Sequence, residues 1–258
     1  MSIHVKQDWW KTLFDDIYLL TDARSVCNEE ITCREIDLIC ELLSIQKHHD
    51  ILDLCGGHGR HSFELYTRGY TNCTLLDYSQ YLVDHAREFA DRNGIPIDII
   101  RSDARETGLP ESSFDHICIL GNSLGYVSDH DADRRITEEV NRLLRPGGKL
   151  LIDITDGDVV IESFKPMAWH EIEDDIVVCR QREIKNGSVH AREMVLCKKK
   201  GLIRDENYSI RLYNENSLTT LLSQSGFSNI KIHKGFRAHQ EKGDYGFMNN
   251  RMVAICQK

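Results

Sequence analysis

The stretch ILDLCGGHGR, residues 51–60, holds an apolar run that stops abruptly in Cys55-Gly56-Gly57-His58-Gly59. A strand that ends in glycines leaves its backbone open to close approach by a ligand, because no Cβ stands in the way. Working outward, runs of the same character recur. CTLLD (73–77), IDIIRSD (97–103), HICILGN (116–122) and KLLIDIT (149–155) are short and apolar. Between them lie stretches of helical periodicity. RHSFELYTRG (60–69) closes at Gly69, QYLVDHAREFADRNG (80–94) closes at Asn93-Gly94, and a helix through Ile136, Val140, Leu143 and Leu144 stops at Arg145-Pro146-Gly147-Gly148. Apolar strands alternating with helices belong to a parallel sheet covered on both faces. Residues 49–156 are therefore read as a doubly wound α/β core.

The flanks break that rhythm. In DWWKTLFDDIYLL (8–20), Trp10, Leu13, Phe14 and Ile17 recur at helical spacing, which predicts one amphipathic helix. Ile36, Ile39, Cys40 and Leu43 predict a second from about Glu29 to Ser44, so residues 1–48 read as a helical lid. After Asp156, residues 175–185 and 188–199 flank Asn186-Gly187, a pair that accepts the positive φ angles of a tight hairpin turn. ENYSIRLY (206–213) adds a third antiparallel strand, making 157–213 a β insertion. Residues 214–258 then supply a helix near 217–225 and two strands, IKIHKG and MVAICQK, that return to the core. The expected fold is thus α/β, with a mainly parallel seven-stranded sheet, N-terminal helices and an antiparallel insertion.

Composition narrows the partners. The 258 residues carry a formal charge of -9, so no global field draws in nucleic acid or anionic membranes. Apolar runs fall well short of the roughly 20 residues that span a bilayer. Nine cysteines without a C-x-x-C pair, behind a start unlike a signal peptide, read as reduced thiols in a cytoplasmic protein. His48-His49 and His58 with His61 lack a companion cysteine or carboxylate cluster, so they read as loop and helix-start residues rather than metal ligands.

In an open parallel sheet, ligands lie beyond the carboxyl ends of the strands. There the first strand offers Asp53, Cys55, Gly56, Gly57 and Gly59; the second offers Asp77, an acceptor for ribose hydroxyls; the third offers Asp103-Ala104, an edge for adenine; and the fourth offers Gly121-Asn122-Ser123. Gly57-x-Gly59-x-x-Ser62 alone is nearly a dinucleotide fingerprint. The whole set, with Arg-Pro-Gly-Gly before the fifth strand, resembles the successive motifs of class I S-adenosylmethionine-dependent methyltransferases, with a Rossmann-like core. The motifs that carry the resemblance are Asp53-x-Cys55-x-Gly57-x-Gly59, LLDYS, SDA, FDHICILGNSLGYV and LLRPGGKLLIDI, and the flanks are similar to bacterial small-molecule members. It implies S-adenosylmethionine as cofactor, with Gly57 and Gly59 at its methionine portion, Asp77 on ribose, Tyr78 beside adenine, and Asp103 with Ala104 at the adenine edge. Cys55 stands where many members have glycine. It reads as a small buried filler, with a reactive thiol as the sharper alternative.

The sulfonium methyl is already activated, so positioning an acceptor suffices for much of the barrier and a base is optional. Trp9, Trp10, Phe14 and Tyr18 of the lid, Asn122 and Tyr126 after the fourth strand, and Arg180, Arg182, Arg192 and Arg211 of the insertion are candidates to line the acceptor side. Tyr18, Asn122 and Tyr126 are the expected catalytic positions, whereas His58 reads as structural. A small-molecule acceptor methylated on N or O is the leading expectation, with the insertion either covering the acceptor pocket or pairing two subunits in a homodimer. The alternatives are an RNA or protein acceptor, an NAD-dependent oxidoreductase, or a non-catalytic S-adenosylmethionine-binding protein.

Overall fold

β1 (Ile51–Leu54) is buried along its whole length because it pairs in parallel with β2 (Cys73–Asp77) on one side and β4 (Phe114–Ile119) on the other. The computed structural model describes residues 2–129, 131–237 and 250–258; residues 238–249 of the C-terminal region 214–258 lie outside these. With β3 (Asp98–Arg101), β5 (Leu144–Thr155), β10 (Ser228–Phe236) and β11 (Arg251–Gln257), the main sheet has the order β10-β11-β5-β4-β1-β2-β3. β1 to β5 run parallel, β11 is antiparallel to β5, and β10, antiparallel to β11, runs in the direction of the first five. The order reverses between β1 and β4, so the chain leaves those two strands in opposite directions and opens a crevice at their carboxyl ends.

Alternation along the strands feeds both faces. Leu52 and Leu54 join Ile136, Val140 and Leu143 of α5 (Ala132–Leu143) and Leu218 and Leu222 of α7 (Glu215–Gln224) in one core. Ile51 joins Ile36, Ile39 and Leu43 of α2 (Glu29–Leu43) and Leu65 of α3 (Arg60–Thr67) in the other. Phe63 and Leu75 pack with Ala86 and Ala90 of α4 (Gln80–Asn93). The doubly wound expectation holds.

Three details differ from the sequence reading. DWWKTLFDDIYLL is two pieces, a 3-10 turn at Trp9–Lys11 and α1 (Asp16–Val26). Asp15 accepts a hydrogen bond from the Tyr18 backbone N–H at 3.1 Å, which starts a new helix and leaves Leu13 and Phe14 on a bend. Arg145-Pro146-Gly147-Gly148 is not a loop ending α5 but a bulge within β5: pairing runs from Phe114–Leu144 directly to His116–Lys149. A Cβ on Gly148 would sit 2.9 Å from the Arg145 carbonyl oxygen, and Arg145 bonds Asp115 and Asp50 at 2.7 Å each, so this motif closes the end of the sheet remote from the crevice. The insertion has four strands, β6 (Met167–Ile172), β7 (Ile176–Lys185), β8 (Ser188–Cys197) and β9 (Gly201–Arg211), preceded by the short α6 (Gly157–Glu162). Asn186 and Gly187 turn the β7–β8 hairpin at φ 50° and 72°, as their chemistry predicts. Among the described residues no helix is long and apolar enough to cross a membrane.

Candidate functional site

The turn after β1 is built on positive φ: Cys55 at 62°, Gly57 at 60° and Gly59 at 86°. Glycine takes such angles freely, which is why glycine is expected at 55; a cysteine holds the left-handed conformation at a modest local cost. Asp53 does not line the crevice. Its buried carboxylate lies beneath the turn, accepting from Ser62 Oγ at 2.8 Å, and a Cβ on Gly56 would meet it at 2.7 Å. Gly59 likewise serves packing, since a Cβ there would press on Phe63 at 2.8 Å. Cys55, Gly56 and Gly57 do face the crevice. Loss of solvent pushes the Cys55 thiol well up, and Asp77, Asp53 and Asp103 add to the effect. These surroundings favour the neutral thiol of Cys55 over a thiolate.

The crevice has two lobes. The first is lined by Trp10, Asp77, Tyr78, Ser102, Asp103, Ala104 and Arg105. Asp77 accepts from the backbone N–H groups of Gly57 and Ser79, both at 2.8 Å, one on each carboxylate oxygen, and each oxygen retains acceptor capacity. Enclosure raises the Asp77 pKa and these two N–H donors oppose the rise. Trp10 meets Tyr78 edge-on at 4.7 Å, and the Arg105 guanidinium lies 5.2 Å from the Trp10 ring while bonding Asp103 at 2.9 and 2.5 Å. Burial of Asp103 is outweighed by Arg105, which holds its carboxyl below the usual range. Sequence reasoning missed Arg105; its place two residues after Asp103 was the available signal.

The second lobe lies between the glycine turn, the lid and the insertion, lined by Trp9, Phe14, Tyr18, Gly121, Asn122, Tyr126, Arg180, Arg182, Arg204 and Tyr208. Trp9 and Phe14 meet the Tyr126 ring at 5.4 and 5.5 Å, and Phe14 meets Tyr18 at 5.0 Å. Burial, then Asp22, pushes the Tyr18 phenol up; burial, then Tyr18, does the same to Tyr126, so both stay protonated at neutral pH. Asn122 turns inward at φ 66°, and its side-chain oxygen accepts from Thr155 N at 3.0 Å and Thr155 Oγ1 at 3.2 Å, so that oxygen braces the loop. Of the four arginines singled out in sequence, Arg180 and Arg182 face the lobe. Arg192 pairs with Asp205 on the outer face, and Arg211 bonds Asp133, away from the lobe.

In the wall of this lobe sits a buried charge cluster that sequence reasoning did not find. Arg251 bonds Asp153 through Nε at 2.6 Å and through a second guanidinium nitrogen, and it also bonds Glu35. Glu35 in turn takes Arg60 and, at 2.8 Å, His61. Burial favours a neutral Glu35, but Arg251, Arg60 and the His61 hydrogen bond prevail and hold its carboxyl well below the usual range. Burial, then Arg60, lowers the His61 pKa. Asp153 also accepts from Gly121 N at 3.2 Å, which ties the cluster to the loop after β4.

Comparison with known proteins bears on this geometry. The family described as "Methyltransferase domain" matches residues 51–148, the span from β1 to the β5 bulge. The core is a class I S-adenosylmethionine-dependent methyltransferase domain. A putative methyltransferase, YqeM, of Bacillus subtilis is 28% identical over 133 residues, 52% of this chain; the chain spans about half (53%) of that relative's length. A glycine/sarcosine N-methyltransferase of Aphanothece halophytica is 24% identical over 202 residues, 76% of this chain and 73% of the relative. A methyltransferase structure from Clostridium acetobutylicum superposes with a TM-score of 0.74 at 18% identity, covering 93% of this chain and 96% of that one, a likeness of fold.

S-adenosylmethionine is the cofactor of such a methyltransferase domain, and the residues present fit it. Gly121 sits at φ 64° with nothing within 4 Å of where a Cβ would be, and a Cβ on Gly57 would meet only Leu82, at 3.7 Å. The wall is bare backbone on both sides of the crevice, next to a carboxylate with spare acceptor capacity.

Proposed function

We propose that this chain transfers a methyl group from S-adenosylmethionine to a small molecule in the cytoplasm, on nitrogen in preference to oxygen. The observation that carries this reading is a shared wall. Phe14, Tyr18, Cys55, Gly57, Gly121, Ser123 and Tyr126 line both lobes, so a ligand in each would meet there. In this reading residues 1–48 are the lid, 49–156 with 214–258 form the cofactor-binding core, and 157–213 cover the acceptor. Asp77 holds the ribose, Tyr78 and Trp10 flank the adenine, and Asp103 with Ala104 reads its edge. Gly57 and Gly121 admit the methionine end.

The cofactor supplies an electrophilic methyl, which the acceptor's lone pair takes as the S–C bond breaks. The protein's part is to exclude water and aim the nucleophile, worth on the order of 7–11 kcal/mol when alignment is good. Nitrogen is preferred because Asp22, Glu35 and Glu193 of the acceptor lobe are each tied to arginine, and the phenols of Tyr18 and Tyr126 are held protonated. A neutral amine needs no base; a phenol would gain from one. Tyr18 and Tyr126 then act as neutral walls of the transfer site. The named specificities of the glycine/sarcosine enzyme and of a sugar N-methyltransferase from Streptoalloteichus support a small nitrogen acceptor.

Calorimetry with S-adenosylmethionine and NAD, followed by an assay for S-adenosylhomocysteine over amines and phenols, tests this. Binding of S-adenosylmethionine but not NAD, with product from an amine, is expected. The reverse binding order would mean an oxidoreductase, and cofactor binding without any product would favour a non-catalytic binding protein.

The insertion supports a second element of the reading, self-association. β6 is an edge strand, and it displays Met167 and Trp169 at 75% and 67% exposure. A homodimer through this sheet is expected in sedimentation, shifting toward monomer in Trp169→Ser. A monomeric parent protein would dispose of the idea.

A further inference from the structure

We propose that Arg211 and Tyr213, where the insertion rejoins the core, are positioning residues: through Asp133 they hold the loop after β4 and so couple the acceptor lobe to the grip on the cofactor. The inference rests on the methyl-transfer reading above, which sets the cofactor against that loop.

Gly121, Ser123, Tyr126 and Val127 of the loop line the cofactor lobe. The near end of the loop is braced from β5, by Asp153 on Gly121 N and by Thr155 on Asn122. Its far end has a different support. Asp133, buried in the first turn of α5, accepts from Gly125 N at 3.2 Å, from the Tyr213 hydroxyl at 2.6 Å and from the Arg211 guanidinium. A second guanidinium nitrogen of Arg211 donates to the Val127 and Asp129 carbonyl oxygens at 3.3 and 3.2 Å. The backbones meet as well. Arg211 N donates to the Gly125 carbonyl at 2.9 Å, and a Cβ on Gly125, whose φ is 95°, would lie 3.0 Å from the Arg211 carbonyl oxygen. Glycine suits a loop pressed this closely on a strand.

Three donors on one buried carboxylate satisfy it and fix their mutual positions. Burial, then Asp133, pushes the Tyr213 phenol up, which keeps it a donor. Burial works against the Arg211 charge, and Asp133 outweighs that effect.

This joint lies at the end of the acceptor wall. Tyr208 and Ile210 of β9 line the acceptor lobe, and Arg211 is the last residue of the same strand. The next residues fasten the insertion to its surroundings. Leu212 N donates to the Gly187 carbonyl of the β7–β8 turn at 2.9 Å, and Gly157 N at the start of α6 donates to the Tyr213 carbonyl at 2.8 Å. A shift of β9 as the acceptor lobe fills is therefore passed to Gly125, and with it to Tyr126, which lines both lobes. Coupling between two sites is reciprocal, so a cofactor that orders the loop also orders β9.

Calorimetry with S-adenosylhomocysteine, and hydrogen exchange with and without it, test this on the full chain. In the parent protein the ligand is expected to slow exchange in residues 121–129 and also in residues 206–213, which do not line the cofactor lobe. Arg211→Lys keeps a cation near Asp133 but lacks the fork that reaches both carbonyls. It is expected to weaken binding about three- to thirtyfold and, at saturating ligand, to lose the protection of residues 206–213. Tyr213→Phe removes one hydroxyl only; it is expected to show the same loss to a smaller degree, and it serves if the lysine variant does not fold. A merely structural joint would exchange faster to the same extent with and without ligand, and would leave the affinity of the folded fraction, read from stoichiometry, within twofold of the parent. That result overturns the proposal, as does protection confined to residues 121–129 in the parent. Failure of the parent to bind S-adenosylhomocysteine would instead remove the functional reading beneath.

Discussion

Replacing Arg251 by methionine is expected to lower the unfolding free energy by about 3–5 kcal/mol, the cost of stranding a buried charge by removing its partner. Arg251 is 2% exposed, and so is Asp153, which would lose both guanidinium bonds. Glu35 would keep Arg60 and His61, so most of the loss should fall on Asp153. A urea titration of variant and parent reads this directly as a fall in midpoint at unchanged slope. A change below about 1 kcal/mol would mean that the cluster is replaceable by packing alone, as some buried ion pairs are. Because Asp153 also accepts from Gly121 N, the variant should loosen the loop after β4 as well. S-adenosylmethionine affinity is therefore expected to fall even in the population that remains folded.

The second large effect is at Asp77. Asp77→Ala is expected to weaken S-adenosylmethionine binding by about 1–3 kcal/mol, roughly 5- to 150-fold in dissociation constant, through lost charge-assisted hydrogen bonds. Two consequences of the substitution add together. The ribose loses its acceptor, and the Gly57 N–H, which now donates to Asp77 at 2.8 Å, loses the bond that orders the glycine turn. Asp77→Asn separates them in part: its amide oxygen can still accept from Gly57, while the charge is gone and its NH2 is set against the Ser79 N–H. Calorimetry should place the asparagine variant between the parent and the alanine variant. Affinity unchanged in Asp77→Ala would show that the ribose is held elsewhere.

Patterns confined to a few neighbouring residues determined much of this protein without coordinates. Alternation of period two, helical spacing and turn chemistry yielded the order of core strands and helices, the Asn186-Gly187 hairpin and the glycine turn. The same short-range logic placed Asp77, Asp103 and Ala104 at strand ends; they line the first lobe together with Tyr78, which the family resemblance supplied. It faltered where one local signal competed with a distant partner. Leu13 and Phe14 have helical spacing, yet Asp15 caps a new helix and pairs with Arg204, and the chain bends between them. Pro-Gly-Gly suggested a loop, yet Arg145 draws that segment onto Asp50 and Asp115 as a bulge. β6 carries too little apolar alternation to declare itself and becomes a strand only by pairing with β7.

The acceptor lobe was decided by tertiary structure alone. In sequence Arg180, Arg182, Arg192 and Arg211 are equivalent charges on strands; the register and the side of the sheet facing the lid separate the two that enter the lobe from the two that do not. Arg251 meets Glu35 across 216 residues and Asp153 across 98, and no local periodicity encodes a bond of that span. Backbone conformation is governed by neighbours along the chain and so is written locally. The pairing of buried charges is governed by which surfaces the fold brings together and shields from water.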